Sequence, residues 1–103
     1  MIKLIALYRR PDDLEAFMEH YRDVHTPLTL ALPGLQRLVL DRVTGDAFGG
    51  EPEFVLMAEM HFADRDTFKA AMRSEENRRL AADLKGFAAD VATVMFTESE
   101  EVR

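Results

Sequence analysis

Between Phe54 and Phe62 the chain alternates so that both of the rows it creates are largely apolar. A β-strand turns successive side chains to opposite sides. Phe54, Leu56, Ala58, Met60 and Phe62 therefore form one row, and Val55, Met57, Glu59 and His61 the other. The first row suits a helix-packed core. The second mixes apolar residues with two ionisable ones. Other runs of strand length repeat the doubling: Ile5 and Leu7 stand opposite Ile2, Leu4 and Ala6, and Val94 and Phe96 opposite Val91 and Met95. A sheet apolar on both sides must be covered on both sides, and this requirement constrains the fold more than any other feature.

The remaining punctuation supplies helices for only one of those sides. Ile2 to Tyr8 reads as a first strand, closed by Arg10-Pro11-Asp12-Asp13. Asp12 stands three before Glu15, a carboxylate capping box that predicts a helix from about residue 13 to 24. Pro27 disfavours a helical Thr26, so the spacing predicts a break after His25. Thr26 as N-cap and Pro27 at the first helical position then suit a short second turn over Leu28 to Leu32. Pro33-Gly34 ends that element, Leu35 to Val43 alternates as a strand, and Thr44 to Pro52 reads as a hairpin loop. Beyond the strand at 54–62, Asp64 and Ser74 are caps for one bent helix or two short ones, with Gly86 as the stop. Val91 to Thr97 is a last strand before a charged tail.

The order β-α-β-β-α-β predicts one α+β domain over residues 1–103, a ferredoxin-like sandwich with a four-stranded antiparallel sheet and its helices on one face. The face without helices needs a cover, and a second copy of the chain supplies one, giving a homodimer of the α+β barrel kind. Two sheets packed face to face enclose a cavity lined by the less apolar rows, which is the predicted place for a small hydrophobic molecule.

Composition narrows the chemistry. A formal charge of −6 and a pI near 5.0 leave no basic footprint for nucleic acid or an anionic membrane surface. No run approaches the roughly 20 apolar residues of a membrane span. Met1 to Tyr8 is too short for a signal peptide before Arg9-Arg10-Pro11, so a cytoplasmic protein is expected. With no cysteine there is no thiolate nucleophile and no Cys-ligated metal. His20 and His25 are five apart, whereas pairing on one helix face needs three or four, so no metal site is expected. Glycine-rich nucleotide motifs are missing as well, and no cofactor is expected.

His25 is the leading functional candidate. On a helical wheel Leu14, Phe17, Met18, Tyr21 and His25 share a sector of about 100°, which turns His25 inward and His20 sideways to solvent. A sheltered imidazole near a helix end is a candidate acid, base or hydrogen-bond donor, although the same position also fits a packing histidine. Tyr21 and Tyr8 are candidate partners in catalysis, each able to orient a ligand through its hydroxyl. Glu59 and His61 share a strand face roughly 7 Å apart. With Met57 and Leu28 they are the candidate substrate-binding residues.

The stretch Phe17-x-x-His20-Tyr21-x-x-x-His25-x-Pro27-Leu28, followed by Leu32-Pro33-Gly34-Leu35, resembles the EthD family, named for ethyl tert-butyl ether degradation, within the dimeric α+β barrel superfamily. The likeness runs almost end to end. The position of Tyr21 is often Trp in that pattern. The resemblance implies a homodimer with a central cavity and places His25 nearest the active site. It further implies an accessory oxidoreductase or monooxygenase-type enzyme in the breakdown of organic compounds, with His25 moving a proton. The alternatives it leaves open are a non-catalytic ligand carrier for a partner oxygenase and, through superfamily kinship, a haem-binding protein.

Overall fold

A computed structural model describes residues 1–103. Its elements are β1 (Ile2–Arg9), α1 (Leu14–His20), α2 (Thr26–Leu30), β2 (Arg37–Arg42), β3 (Phe54–Phe62), α3 (Arg65–Met72), α4 (Glu75–Ala88) and β4 (Ala92–Glu98). The strands form one sheet in the order β2-β3-β1-β4, with every neighbouring pair antiparallel. This is the α+β ferredoxin-like arrangement, in which α1 and α2 run on as one helical region and α3 and α4 form the second.

Register decides which residues share a face. Leu4 faces Met60 on one side and Phe96 on the other, Ala6 faces Ala58 and Val94, and Tyr8 faces Leu56 and Ala92. This row lies under the helices, and Ile2, Leu4, Ala6, Tyr8, Leu56, Ala58, Met60 and Phe62 are buried in one core with Phe17, Tyr21, Phe68 and Leu80. The opposite row carries Lys3, Ile5 and Leu7 on β1 beside His61, Glu59 and Met57 on β3, and no helix of the chain covers it.

Two caps stand where the side chains predict them. Asp64 Oδ1 accepts from the Thr67 N–H at 2.8 Å, and Ser74 Oγ accepts from the Asn77 N–H at 3.1 Å. The cap of α1 is Asp13 rather than Asp12: its Oδ1 accepts from the Ala16 N–H at 3.0 Å, so the capping-box reading was one residue early. Gly86 does not stop α4, which continues to Ala88, because its position is open to solvent and a helix tolerates an exposed glycine for about 1 kcal/mol. Gly34 is required as glycine. Its φ is +77°, and a Cβ there would collide with the Thr67 side chain.

The expected break after His25 is absent. Residues Tyr21–His25 form a single π-helical turn that joins α1 to α2 without interruption. Thr26 is not an N-cap: it is itself helical at φ −59°, ψ −47°, and its N–H donates to the Tyr21 carbonyl five residues back. A turn holding one extra residue gives the Pro27 ring room that an α-turn would deny it against the preceding carbonyls. The turn is reinforced by the Thr29 hydroxyl, which donates to the His25 carbonyl at 3.1 Å.

Candidate functional site

That π-turn changes which side chains meet. In a regular α-helix residues five apart diverge by about 140°. The inserted residue re-phases the turn and brings His20 and His25 to the same side, where both reach Asp83 on α4. His20 Nε2 lies 2.8 Å from Asp83 Oδ1, and His25 Nδ1 lies 2.9 Å from Asp83 Oδ2. His20 is therefore not turned out to solvent. It is half-buried and packs on Phe87 with ring centroids 4.4 Å apart.

One carboxylate thus organises two imidazoles. A carboxylate only accepts hydrogen bonds, so His25 presents Nδ1–H to Asp83 and keeps its lone pair on Nε2, which has no hydrogen-bond partner in the chain. Burial pushes the His25 pKa below the ordinary imidazole value, and this outweighs the opposing pull of the Asp83 hydrogen bond and charge. The result is a neutral ring at neutral pH, fixed in the tautomer that can accept a proton. The two nitrogens address separate oxygens of Asp83, which fixes the orientation of both rings.

Aromatic rings surround this pair. Tyr21 and Phe87 lie 5.0 and 5.1 Å from the His25 ring, and Tyr8 stands edge-to-face on Tyr21 at 5.4 Å. Burial pushes the Tyr21 pKa up to about 12. It raises Tyr8 further, with the neighbouring Tyr21 adding to the effect. Both phenols stay protonated and act as donors rather than as bases.

His25 and Tyr8 line a hollow of about 270 Å³ between the helices and the sheet, whose other walls include Leu4, Met60, Leu80 and Leu84. Asn77 is the one other polar side chain in that lining. The hollow therefore belongs to the helix-covered side of the sheet, not to the uncovered face where the ligand cavity was expected. The sheet itself separates Glu59, His61 and Met57 from His25, and Leu28 packs against the core outside the hollow. Of the candidate site residues, the chain brings together His25, Tyr8 and Tyr21 and leaves the other four elsewhere.

A second polar cluster occupies the uncovered face. Lys3 Nζ pairs with Glu59 Oε1 at 3.4 Å, and His61 Nε2 lies 3.5 Å from the same oxygen without a hydrogen bond, although it is buried. Asp41 adjoins them. A hydrogen bond shared with Glu59 holds Asp41 above the ordinary carboxylate range and Glu59 below it, with Lys3 helping to lower Glu59.

Asp83 and His20 are the site residues that sequence reasoning missed. A signal existed for Asp83: Leu80, Asp83, Leu84 and Phe87 follow the i, i+3, i+4, i+7 spacing of an inward helix face, so Asp83 occupies an apolar position. No such signal existed for His20, because its orientation depends on the π-turn.

The sequence model of the EthD domain matches residues 9–90. Among solved structures, an ethyl tert-butyl ether degradation (EthD) family protein of Bacillus halodurans is 41% identical, with 97% of this chain and 99% of that chain aligned at a TM-score of 0.92. Two more distant structures share the fold. One is a dimeric ferredoxin-like protein of unknown function from Thermobifida fusca, 21% identical at a TM-score of 0.69 over 95% of this chain and 90% of that one. The other is SnoaB, a cofactor-independent oxygenase of Streptomyces nogalater, 13% identical at 0.69 over 98% and 94%.

Proposed function

The chain belongs to the EthD family, and on that premise we propose that it is a cytoplasmic, homodimeric oxidoreductase of the monooxygenase type acting on a small hydrophobic organic compound. The observation that carries this reading is the buried His25 held by Asp83 at an apolar hollow. His25 Nε2 takes a proton from an activated C–H of the substrate, and Asp83 stabilises the imidazolium that results. Tyr8, protonated and in the wall of the hollow, donates a hydrogen bond to the oxygen on which the negative charge collects, and Tyr21 packs behind it to fix its ring.

The resulting carbanion gives its electrons to dioxygen, the co-reactant. A CH₂ group then becomes a carbonyl, with one oxygen atom retained and the other released as water, so that the carbon gives up four electrons and dioxygen takes up the same four. The fold shared with an oxygenase named as cofactor-independent supports such a route without a resident redox group. A dimeric relative supports the homodimer, in which the uncovered sheet faces of two copies meet and Met57, Glu59 and His61 face the partner. No helix is long and apolar enough to cross a membrane.

The test is oxygen consumption by His25→Ala and His25→Gln proteins across a panel of small hydrophobic carbon acids. Loss of a proton-transfer group lowers turnover about 10²- to 10⁴-fold, while ligand binding measured separately is retained. Unchanged turnover in both variants, or binding with no turnover in any protein, sinks the catalytic reading and leaves a ligand carrier.

A further inference from the structure

Beside the His25 hollow, α3 and β4 form a larger groove of about 510 Å³, within the size range of small-molecule sites. Its floor is apolar: Ile2, Phe68, Met72 and Phe96. Phe96 is 67% exposed, a large cost in unburied surface, although its ring stands edge-to-face on Phe68 at 5.1 Å. Met72 and Phe96 line the groove and the His25 hollow alike, so the two spaces adjoin across these side chains.

The rim is basic in a chain that is acidic overall. Arg65, Lys69 and Arg73 recur every four residues along α3 and all border the groove. Arg65 is engaged, reaching Glu98 on the opposite wall at 3.4 Å. Lys69 and Arg73 form no ion pair and no side-chain hydrogen bond within the chain, although the sequence holds 19 acidic residues against 13 basic ones. An exposed aromatic floor under two unengaged cations is complementary to a molecule with an apolar body and an anionic end.

We propose that the substrate class is a small amphipathic organic anion, a carboxylate or sulfonate, held in this groove. Its apolar body lies over Phe96 and Met72, its charged end meets Lys69 and Arg73, and its reacting end enters the His25 hollow. The proposal rests on the reading of His25 as the reacting centre only for that last placement. The anionic subsite stands on the groove alone.

Two fluorescent probes with one apolar body separate charge from greasiness: 8-anilinonaphthalene-1-sulfonate and the uncharged N-phenyl-1-naphthylamine. Titrated into the full-length protein at low salt, the sulfonate binds about tenfold more tightly than the neutral probe, the size expected for two partly solvated charge contacts. The double variant Lys69→Gln/Arg73→Gln removes that preference and leaves the neutral probe within about twofold, and raised salt narrows the wild-type gap in the same direction. His25→Ala keeps the preference. Equal binding of the two probes by the wild type, or a preference that survives the double variant, overturns the proposal. A preference intact in His25→Ala alongside turnover that ignores His25 overturns the catalytic reading while the anionic subsite stands.

Discussion

The two sides of the sheet each carry a histidine beside a carboxylate within apolar surroundings, and they handle it differently. On the helix side Asp83 gives each oxygen to one ring, so His20 and His25 are held at 2.8 and 2.9 Å and His25 is left with a single free nitrogen at a hollow. On the uncovered side Glu59 is shared by Lys3, Asp41 and His61, and His61 Nε2 finds no hydrogen bond at all. The first arrangement is complete within one chain, as the proposed proton transfer requires. The second is crowded with charge and leaves a buried nitrogen unpaired, which fits the proposed dimer, in which a second copy would meet this face.

The largest effect should come from charging the uncovered face. Ile5→Asp sets a carboxylate opposite Met95 and Glu59, in the middle of the surface where two sheets are proposed to meet. An unpaired buried charge costs several kcal/mol, so the dimer dissociation constant should rise by about 10³-fold or more. Light scattering at micromolar concentration would show a monomer where the parent is a dimer. A variant that remains dimeric, or a parent that is monomeric already, would remove the basis for treating this face as an interface.

Next in size is Asp83→Asn. The amide offers one acceptor to two imidazoles and turns N–H donors toward the other, so one ring must change tautomer or lose its bond. Turnover should fall about 10²-fold or more, approaching the loss for His25→Ala, since a wrong tautomer removes the free base as surely as removing the ring. Stability should drop by about 1–3 kcal/mol in chemical denaturation, because buried partners are left unsatisfied. Glu59→Gln on the other face should leave the kcat of an intact dimer within a few-fold. If instead Glu59→Gln abolishes turnover and Asp83→Asn does not, the two sides have been assigned the wrong way round.

The comparison also explains what could be read from the residues. The sheet, its two rows and the uncovered face followed from alternation alone, since a strand's period of two fixes which side chains share a face. The inward position of His25 followed from helical periodicity. The place of the hollow did not, because both rows are apolar and only packing shows on which side of the sheet a gap remains beside a polar group. The His20–Asp83–His25 arrangement was hidden for a sharper reason. A π-turn alters the phase between residues 20 and 25 while leaving the sequence looking like an α-helix ended by Pro27. A spacing of five argues against two residues sharing one helix face, and one inserted residue brings both rings to one carboxylate all the same.

Acidification should distinguish the same two sides more gently. His25 has a folded pKa below its unfolded value of roughly 6.5, so between those values the unfolded chain binds the proton and the folded chain does not. Its contribution is fully present above the unfolded value and is lost as pH falls through that window. Between pH 7 and pH 5 the parent should therefore lose more thermal stability than His25→Gln, by a few degrees in Tm. The plot of kcat/KM against pH should rise to a plateau with its midpoint below 6.5, reporting a base that must be neutral. A midpoint above 6.5 would mean that the charge of Asp83 outweighs burial and that His25 rests protonated.

The smallest effect separates the scaffold of the helix-side pair from its chemistry. Gly86 lies inside α4, one turn beyond Asp83 and next to Phe87, with nothing near the position a Cβ would take. Gly86→Ala should stabilise the protein by about 0.5–1 kcal/mol by restricting the unfolded chain and favouring the helix. Denaturant titration should show a higher midpoint at an unchanged slope, with kcat/KM unaltered because neither hydrogen bond of Asp83 has to move. A stabilised protein with slower turnover would show that α4 must bend to admit substrate beside His25. The hollow would then be gated by the helix that orients the base, whereas the uncovered face, built wholly on strands, should ignore the substitution.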